Sequence, residues 1–145
     1  ALPKSYIQFT PGGEKNMKVI MALAYAKTNN YKKAITILEE YIANCEEDDI
    51  GLSDYHTLGI LYLKNKQYDE AIIALQKQII VNEDIPDTYY FLGLSYKKQL
   101  NFKDARISFN IAIDKFQDDN HYRNPNAGFR AYIDDVKKQI KSISH

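Results

Sequence analysis

Apolar residues recur along this chain in blocks that have the three- and four-residue spacing of amphipathic helices. Short polar segments separate the blocks, and the pattern predicts helices over about 14–28, 31–44, 52–65, 68–82, 86–99 and 102–117. Pro86 stands at the start of one of them, where its missing N–H would have no partner within the helix. The pattern therefore predicts an all-helical chain.

The blocks also repeat at fixed distances in the sequence. Two segments share the pattern Tyr-x-x-Leu-Gly-x-x-Tyr, at 55–62 and 89–96, with an offset of 34 residues. An upstream segment aligns with the first of these at an offset of 37 residues, and its matching residues are Ala22, Tyr25, Tyr31, Ala34 and Leu38. Self-similarity at such a period is typical of solenoids built from repeated helix pairs.

The repeated pattern resembles the tetratricopeptide repeat: an aromatic residue, Leu-Gly, Tyr, a second aromatic residue, Ala and another large apolar residue. The last three positions are held by Tyr68, Ala71 and Leu75 in the second copy and by Phe102, Ala105 and Phe109 in the third. The resemblance covers roughly residues 15–119. It is weakest in the first copy, where Lys18, Met21 and Ala22 replace the aromatic residue, Leu and Gly.

The resemblance implies an all-α, right-handed superhelical solenoid of antiparallel helix pairs, in one domain over residues 1–145. The expected parts are an extended leader over 1–13, repeats over 15–51, 52–85 and 86–119, and a capping helix over 125–143. A solenoid needs such a cap because its last repeat otherwise exposes apolar surface. The predicted cap has one apolar stripe, formed by Phe129, Tyr132, Ile133, Val136, Ile140 and Ile143. A partner-binding helix is the alternative interpretation of this segment.

In this family the first helices of the repeats line a concave groove that commonly binds peptide segments. The face expected to line it, opposite the core stripe at 100° per residue, is largely apolar here. The predicted partner-binding residues are Val19, Leu23, His56, Ile60, Leu63, Lys64, Tyr90, Leu94 and Lys97. Such a groove would suit an amphipathic helix or an apolar extended segment of another protein. Alternatively, the apolar residues among them pack between repeats, or lie under the leader or another chain.

Composition narrows the class of partner. The 145 residues carry 19 Lys plus Arg and 19 Asp plus Glu, so the formal net charge is zero. We expect no nucleic-acid partner, because such binding needs a basic surplus. The longest apolar stretch, Val19 to Ala26, is too short to cross a bilayer, and we expect no membrane insertion. The single Cys45 favours a reducing cytoplasm, although an exported protein without disulfides would look the same.

No catalytic motif accompanies the repeats. The sequence has no Gly-rich phosphate loop, no paired-cysteine pattern and no His-Glu-x-x-His stretch. Cys45 precedes four acidic residues, which disfavour its thiolate, and the acidic run 46–49 lacks the spacing of a calcium loop. We therefore expect no enzyme activity, no cofactor and no metal site. The predicted function is a non-catalytic protein-interaction module or scaffold. The alternatives are a secretion-type chaperone holding an apolar client segment and a self-associating adaptor, which would form a homodimer.

Overall fold

The computed structural model describes residues 13–46, 50–51, 54–118 and 133–143, with side chains from residue 17 onward. Within these ranges the chain forms seven α-helices and no strand. Their bounds are α1 Gly13–Lys27, α2 Tyr31–Ala43, α3 Asp54–Lys64, α4 Tyr68–Val81, α5 Pro86–Lys98, α6 Phe102–Gln117 and α7 Ile133–Ile143. Residues 1–12 of the predicted leader lie outside the described residues, and Gly13, its last residue, begins α1. Residues 125–132 of the predicted capping helix, with Phe129 and Tyr132 of its stripe, also lie outside them.

The helices pack in consecutive pairs. Helix α1 packs on α2, α3 on α4 and α5 on α6, while α2 with α3 and α4 with α5 join one pair to the next. Helix α7 packs on α6. Because the turns within the pairs are short, the two helices of each pair run antiparallel, and the result is an all-α helical solenoid.

The turn inside each helix pair has the same construction. One residue per turn adopts the left-handed conformation, with φ values of 61°, 62° and 63° at Asn29, Lys66 and Leu100. The next backbone N–H then donates to the carbonyl oxygen of the last Tyr of the first helix: Asn30 to Tyr25 (3.0 Å), Gln67 to Tyr62 (2.8 Å) and Asn101 to Tyr96 (2.9 Å). Such bonds satisfy carbonyl groups that the helix end would otherwise leave unpaired. The backbone therefore repeats at the same 37- and 34-residue offsets as the sequence.

Glycine allows the closest approach of the helices within the second and third pairs. A Cβ at Gly93 would lie only 2.5 Å from Cε1 of Phe109, and one at Gly59 would lie 2.6 Å from Cγ of Leu75. These distances are far shorter than ordinary carbon–carbon contacts. The glycines therefore let α3 meet α4, and α5 meet α6, with a large apolar side chain filling the space.

The C-terminal helix α7 completes an apolar cluster with the third helix pair. Val136 and Ile143 are buried there together with Phe109 and Ala112 of α6. The Arg106 guanidinium donates a hydrogen bond of 3.0 Å to the backbone oxygen of Ile143. This bond satisfies a carbonyl group at the C-terminal end of α7, where a cation is also favourable to the helix dipole.

Candidate functional site

The predicted groove residues lie on the first helices α1, α3 and α5 and fall into three groups by burial. The partly buried residues are Val19, Leu23, Leu63, Tyr90, Leu94 and Lys97. Lys64 is exposed. His56 and Ile60 are buried, with relative exposures of 1% and 0%. The face predicted to bind a partner is therefore not uniformly exposed to solvent. The contacts that bury its residues differ from one repeat to the next.

His56 and Ile60 require a correction, because a side chain buried inside the chain offers no surface to a partner. The His56 Nδ1 lies 3.0 Å from Oγ1 of Thr88, at the start of α5. Its backbone N–H donates to Oε1 of Gln78 at 2.9 Å, and its ring meets that of Phe91 edge-on at 5.8 Å between centroids. His56 thus holds α3 against the neighbouring repeat.

In the third repeat, the predicted residues meet α7. Tyr90 and Leu94 pack against the cluster that contains Val136 and Ile143. The Lys97 ammonium donates to Oε1 of Gln139 at 2.7 Å and to Oγ of Ser142 at 2.9 Å. These contacts show that α7 already occupies part of the face predicted for a partner at this repeat.

The surroundings of Tyr90 support the same placement of α7. Burial raises the pKa of its hydroxyl, and the negative charge of Asp135 on α7 raises it further. A hydrogen bond with the Gln139 side chain lowers the pKa in part. The Tyr90 hydroxyl therefore stays protonated. The Tyr90 ring packs between the core and α7, and its hydroxyl provides a polar group at the edge of that contact.

The open part of the face lies mainly on the first two repeats. Val19 packs against the core cluster shared by the first two helix pairs, while Leu23 and Leu63 remain partly exposed. Phe91 is also partly exposed, beside His56. We call Val19, Leu23, Leu63 and Phe91 the groove face. The helical pattern places Phe91 on this side of α5, although it was not among the predicted partner-binding residues.

The described part of the chain offers little other site chemistry. It holds no group of three or more His, Cys, Asp or Glu side chains that could bind a metal ion. None of the helices within it is both long and apolar enough to cross a membrane. A shallow pocket of about 130 Å³ lies between α3 and α4, lined by Tyr55, Leu58, Tyr62, Glu70, Ile73, Ala74 and Lys77. These lining residues are separate from the groove face.

Comparison with known proteins agrees with the repeat geometry. Family models of the tetratricopeptide repeat match residues 19–46 and 55–84. Tetratricopeptide repeat protein 21B of Xenopus laevis is 23% identical over 150 residues, which cover 96% of this chain. The match spans only 11% of that relative's length. The chain therefore contains tetratricopeptide repeats over these two segments.

Solved structures with the same fold include chaperones and tetratricopeptide domains. The type III secretion translocator chaperone SycD of Yersinia enterocolitica superposes with a TM-score of 0.74 at 13% identity, covering 98% of both chains. PcrH of Pseudomonas aeruginosa was solved in complex with the chaperone binding region of PopB. Its structure superposes with a TM-score of 0.70 at 10% identity, covering 93% of this chain and 98% of that one. The tetratricopeptide domain of Sgt2 from Aspergillus fumigatus superposes with a TM-score of 0.68 at 17% identity, covering 97% of this chain and 86% of that one. At these identities the likeness shows a shared helical-solenoid fold.

Proposed function

We propose that this chain is a non-catalytic module that binds an apolar segment of another protein along the groove face. The observation that carries this proposal is the partial exposure of apolar side chains on successive first helices, Leu23 on α1, Leu63 on α3 and Phe91 on α5. A free helix face is normally polar, and contiguous exposed apolar surface marks interaction sites. A bound amphipathic helix or extended peptide would bury these side chains.

The buried neighbours of the groove face would make it a rigid platform. Ile60 occupies the same repeat position as Leu23 and Leu94, and His56 is fixed by its contact with Thr88. A surface held in place by such packing loses little conformational entropy when a partner binds. Since the chain has no net charge, apolar contact and shape would contribute more to recognition than long-range electrostatic steering.

Site-specific photo-crosslinking tests this proposal. A photoreactive residue replaces Leu63 on the groove face, and in a matched control it replaces Ile80, which is 85% exposed on α4. We expect the Leu63 position to crosslink to a partner protein, and the adduct to map to an apolar segment. Crosslinking only at the Ile80 position, or to the same extent at both, would contradict the proposal.

A secretion-type chaperone is a second candidate for the same surface. It is supported by the likeness to SycD and to PcrH solved with the chaperone binding region of PopB. On this hypothesis the bound segment belongs to a protein destined for export and stays unfolded until release. Coexpression with such a client should yield a stoichiometric complex that the Leu63→Asp variant fails to form. A complex that forms equally well with Leu63→Asp would exclude this use of the groove face.

A further inference from the structure

The turn between α5 and α6 differs from the equivalent turn of the first repeat in the side chains that it exposes. Its left-handed residue, Leu100, is 73% exposed, and Phe102, the first residue of α6, is 42% exposed. In the first repeat the same two positions hold Asn29 and Tyr31, and the Tyr31 hydroxyl donates to Oδ1 of Asn29 at 3.0 Å. A hydrogen-bonded polar pair is thus replaced by two exposed apolar side chains.

Packing does not account for the leucine at this position. The left-handed conformation is unfavourable for a residue with a Cβ, and Gly or Asn usually occupies it at a helix end. Leu100 nevertheless carries a large apolar side chain that lies mostly in solvent. A strained residue that the fold does not compensate indicates a role in binding.

The exposure of this turn does not depend on what precedes or follows these residues in the chain. The turns within the helix pairs lie along one side of the solenoid, where the Gln99 side-chain amide donates to Oδ1 of Asp69 beside the neighbouring turn. The residues equivalent to Leu100 are Asn29 and Lys66, and both are exposed although another repeat follows each of them. A further repeat at either end of the solenoid would therefore leave the Leu100 side chain open to solvent.

Positive charge flanks the two apolar side chains. Residues 97–106 contain four cations and one carboxylate, and three of the cations, Lys98, Lys103 and Arg106, are exposed. The C-terminal end of α7 lies at the same place, because the Arg106 guanidinium donates to the backbone oxygen of Ile143 at 3.0 Å. The chain has no net charge, but this end of the third helix pair is basic.

We propose that the turn between α5 and α6 attaches the protein to the surface of an anionic lipid bilayer. Leu100 and Phe102 enter the interfacial region of the lipid, where apolar and aromatic side chains are favourable. Lys98 and Lys103 attract the anionic headgroups around them. Neither signal is strong alone, and stable attachment of a protein to a bilayer normally combines two. The contact is with one surface of the bilayer and does not span it.

A lipid surface fits this turn better than a protein partner does. Leu100 projects from the tip of a turn and lines no groove, so a protein would need a preformed cavity to receive it. A bilayer surface adapts to such a tip, and its headgroups supply negative charge on every side. The four residues of the groove face do not belong to this turn, and the proposal does not rest on their binding a partner.

The sequence contains no tryptophan, which allows a direct fluorescence test. Leu100→Trp places a single tryptophan at the turn, and Ile80→Trp, at an 85% exposed position near the opposite end of α4, is the matched control. The probes are phosphatidylcholine vesicles with and without about one-third phosphatidylserine. We expect a blue shift and quenching by brominated lipid only for Leu100→Trp with the anionic vesicles. Raising the ionic strength from about 0.1 M to about 1 M should release the protein, because the screening length falls from about 10 Å to about 3 Å.

Vesicle flotation of chains without tryptophan separates the apolar contribution from the charged one. Leu100→Gly, which suits the left-handed backbone but removes the side chain, should weaken binding by about fivefold or more. Lys98→Glu combined with Lys103→Glu should weaken it by about tenfold or more. The control combines Lys32→Glu with Lys33→Glu, an equal charge change beside the turn of the first repeat, and should cause a clearly smaller loss.

Four results would overturn the proposal. The first is absence of binding to the anionic vesicles, and the second is binding that a folded Leu100→Gly protein retains in full. The third is an equal loss in the two double variants, which would assign the binding to general charge. The fourth is a dimer in light scattering that Leu100→Gly dissociates, because a second copy would then cover the turn. Crosslinking at the Leu63 position in the Leu100→Gly protein reports separately on the groove face and should persist.

Discussion

The Lys97 ammonium lies 2.7 Å from Oε1 of Gln139, so a lysine of the third repeat is joined to the C-terminal helix α7. A second bond, to Oγ of Ser142 at 2.9 Å, places the cation near the last turn of α7. The two bonds are spaced along one side of α7. They complement the apolar contacts of Val136 and Ile143 with the third helix pair.

Removal of the Lys97 amine should loosen α7. We expect Lys97→Ala to lower the free energy of unfolding by about 1 kcal/mol, a hydrogen-bond contribution reduced by partial exposure of the site. Backbone amides of α7 should exchange with solvent faster in this variant. The neighbouring Lys98→Ala is the control, since Lys98 is exposed. Equal effects of the two substitutions on α7 exchange would contradict this role of Lys97.

We expect substitution of Gly93 to be destabilising, because a Cβ at this position would lie 2.5 Å from the Phe109 ring. Gly93→Ala gains about 1 kcal/mol of helix propensity. Overpacking costs more, so we expect a net loss of about 1–2 kcal/mol in urea unfolding. With Phe109→Leu in the same chain, the combined loss should be smaller than the sum of the two single losses, because the smaller side chain leaves room. A neutral or stabilising Gly93→Ala would contradict the close approach.

Replacement of Leu100 by glycine should stabilise the protein. It has φ of 63° and is 73% exposed, so it has little packing to lose. The left-handed conformation costs about 1–2 kcal/mol for a residue with a Cβ, and glycine loses about 0.5–1 kcal/mol through its flexible unfolded state. We expect Leu100→Gly to raise the free energy of unfolding by about 0.5–1 kcal/mol. Destabilisation in chemical denaturation would show that the Leu100 side chain makes a stabilising contact.

Tyr62 should make stability sensitive to alkaline pH. Burial, followed by its hydrogen bond to Glu39 and by the charge of that carboxylate, raises the pKa of its hydroxyl above the ordinary value of 10.0. The unfolded chain therefore loses this proton first, and stability falls as pH rises above about 10 toward the folded-state pKa. Tyr62→Phe should be less stable than wild type at pH 8, with a smaller difference at pH 11. A constant difference in urea unfolding would contradict this assignment.

The fold could be predicted from the sequence because its determinants are local and repeated. Gly59 and Gly93 mark the close approaches, and the 34-residue offset aligns the left-handed turn residues Lys66 and Leu100. Periodicity of this kind reports which face of each helix is buried within its own pair. This periodicity is therefore sufficient to predict the all-α class and the pairing of the helices.

The site could be predicted only in part, because burial of a helix face depends on residues distant in the sequence. His56 looked like a groove residue on its own helix, and its contact with Thr88, 32 residues away, became visible only in the structure. Lys97 likewise meets Gln139, 42 residues away. The amphipathic stripe of α7 was evident in the sequence, but helical periodicity does not state which part of α5 the helix covers.

The affinity of the partner segment mapped by crosslinking tests the groove face most directly. It is measured for wild type, for Leu63→Asp on the groove face and for Ile80→Asp, an equal chemical change at a position that is 85% exposed on α4. We predict that Leu63→Asp weakens binding by about tenfold or more, as for the loss of an apolar anchor, and that Ile80→Asp has no effect. Unchanged affinity in a folded Leu63→Asp protein would contradict the claim that this chain binds its partner along the groove face.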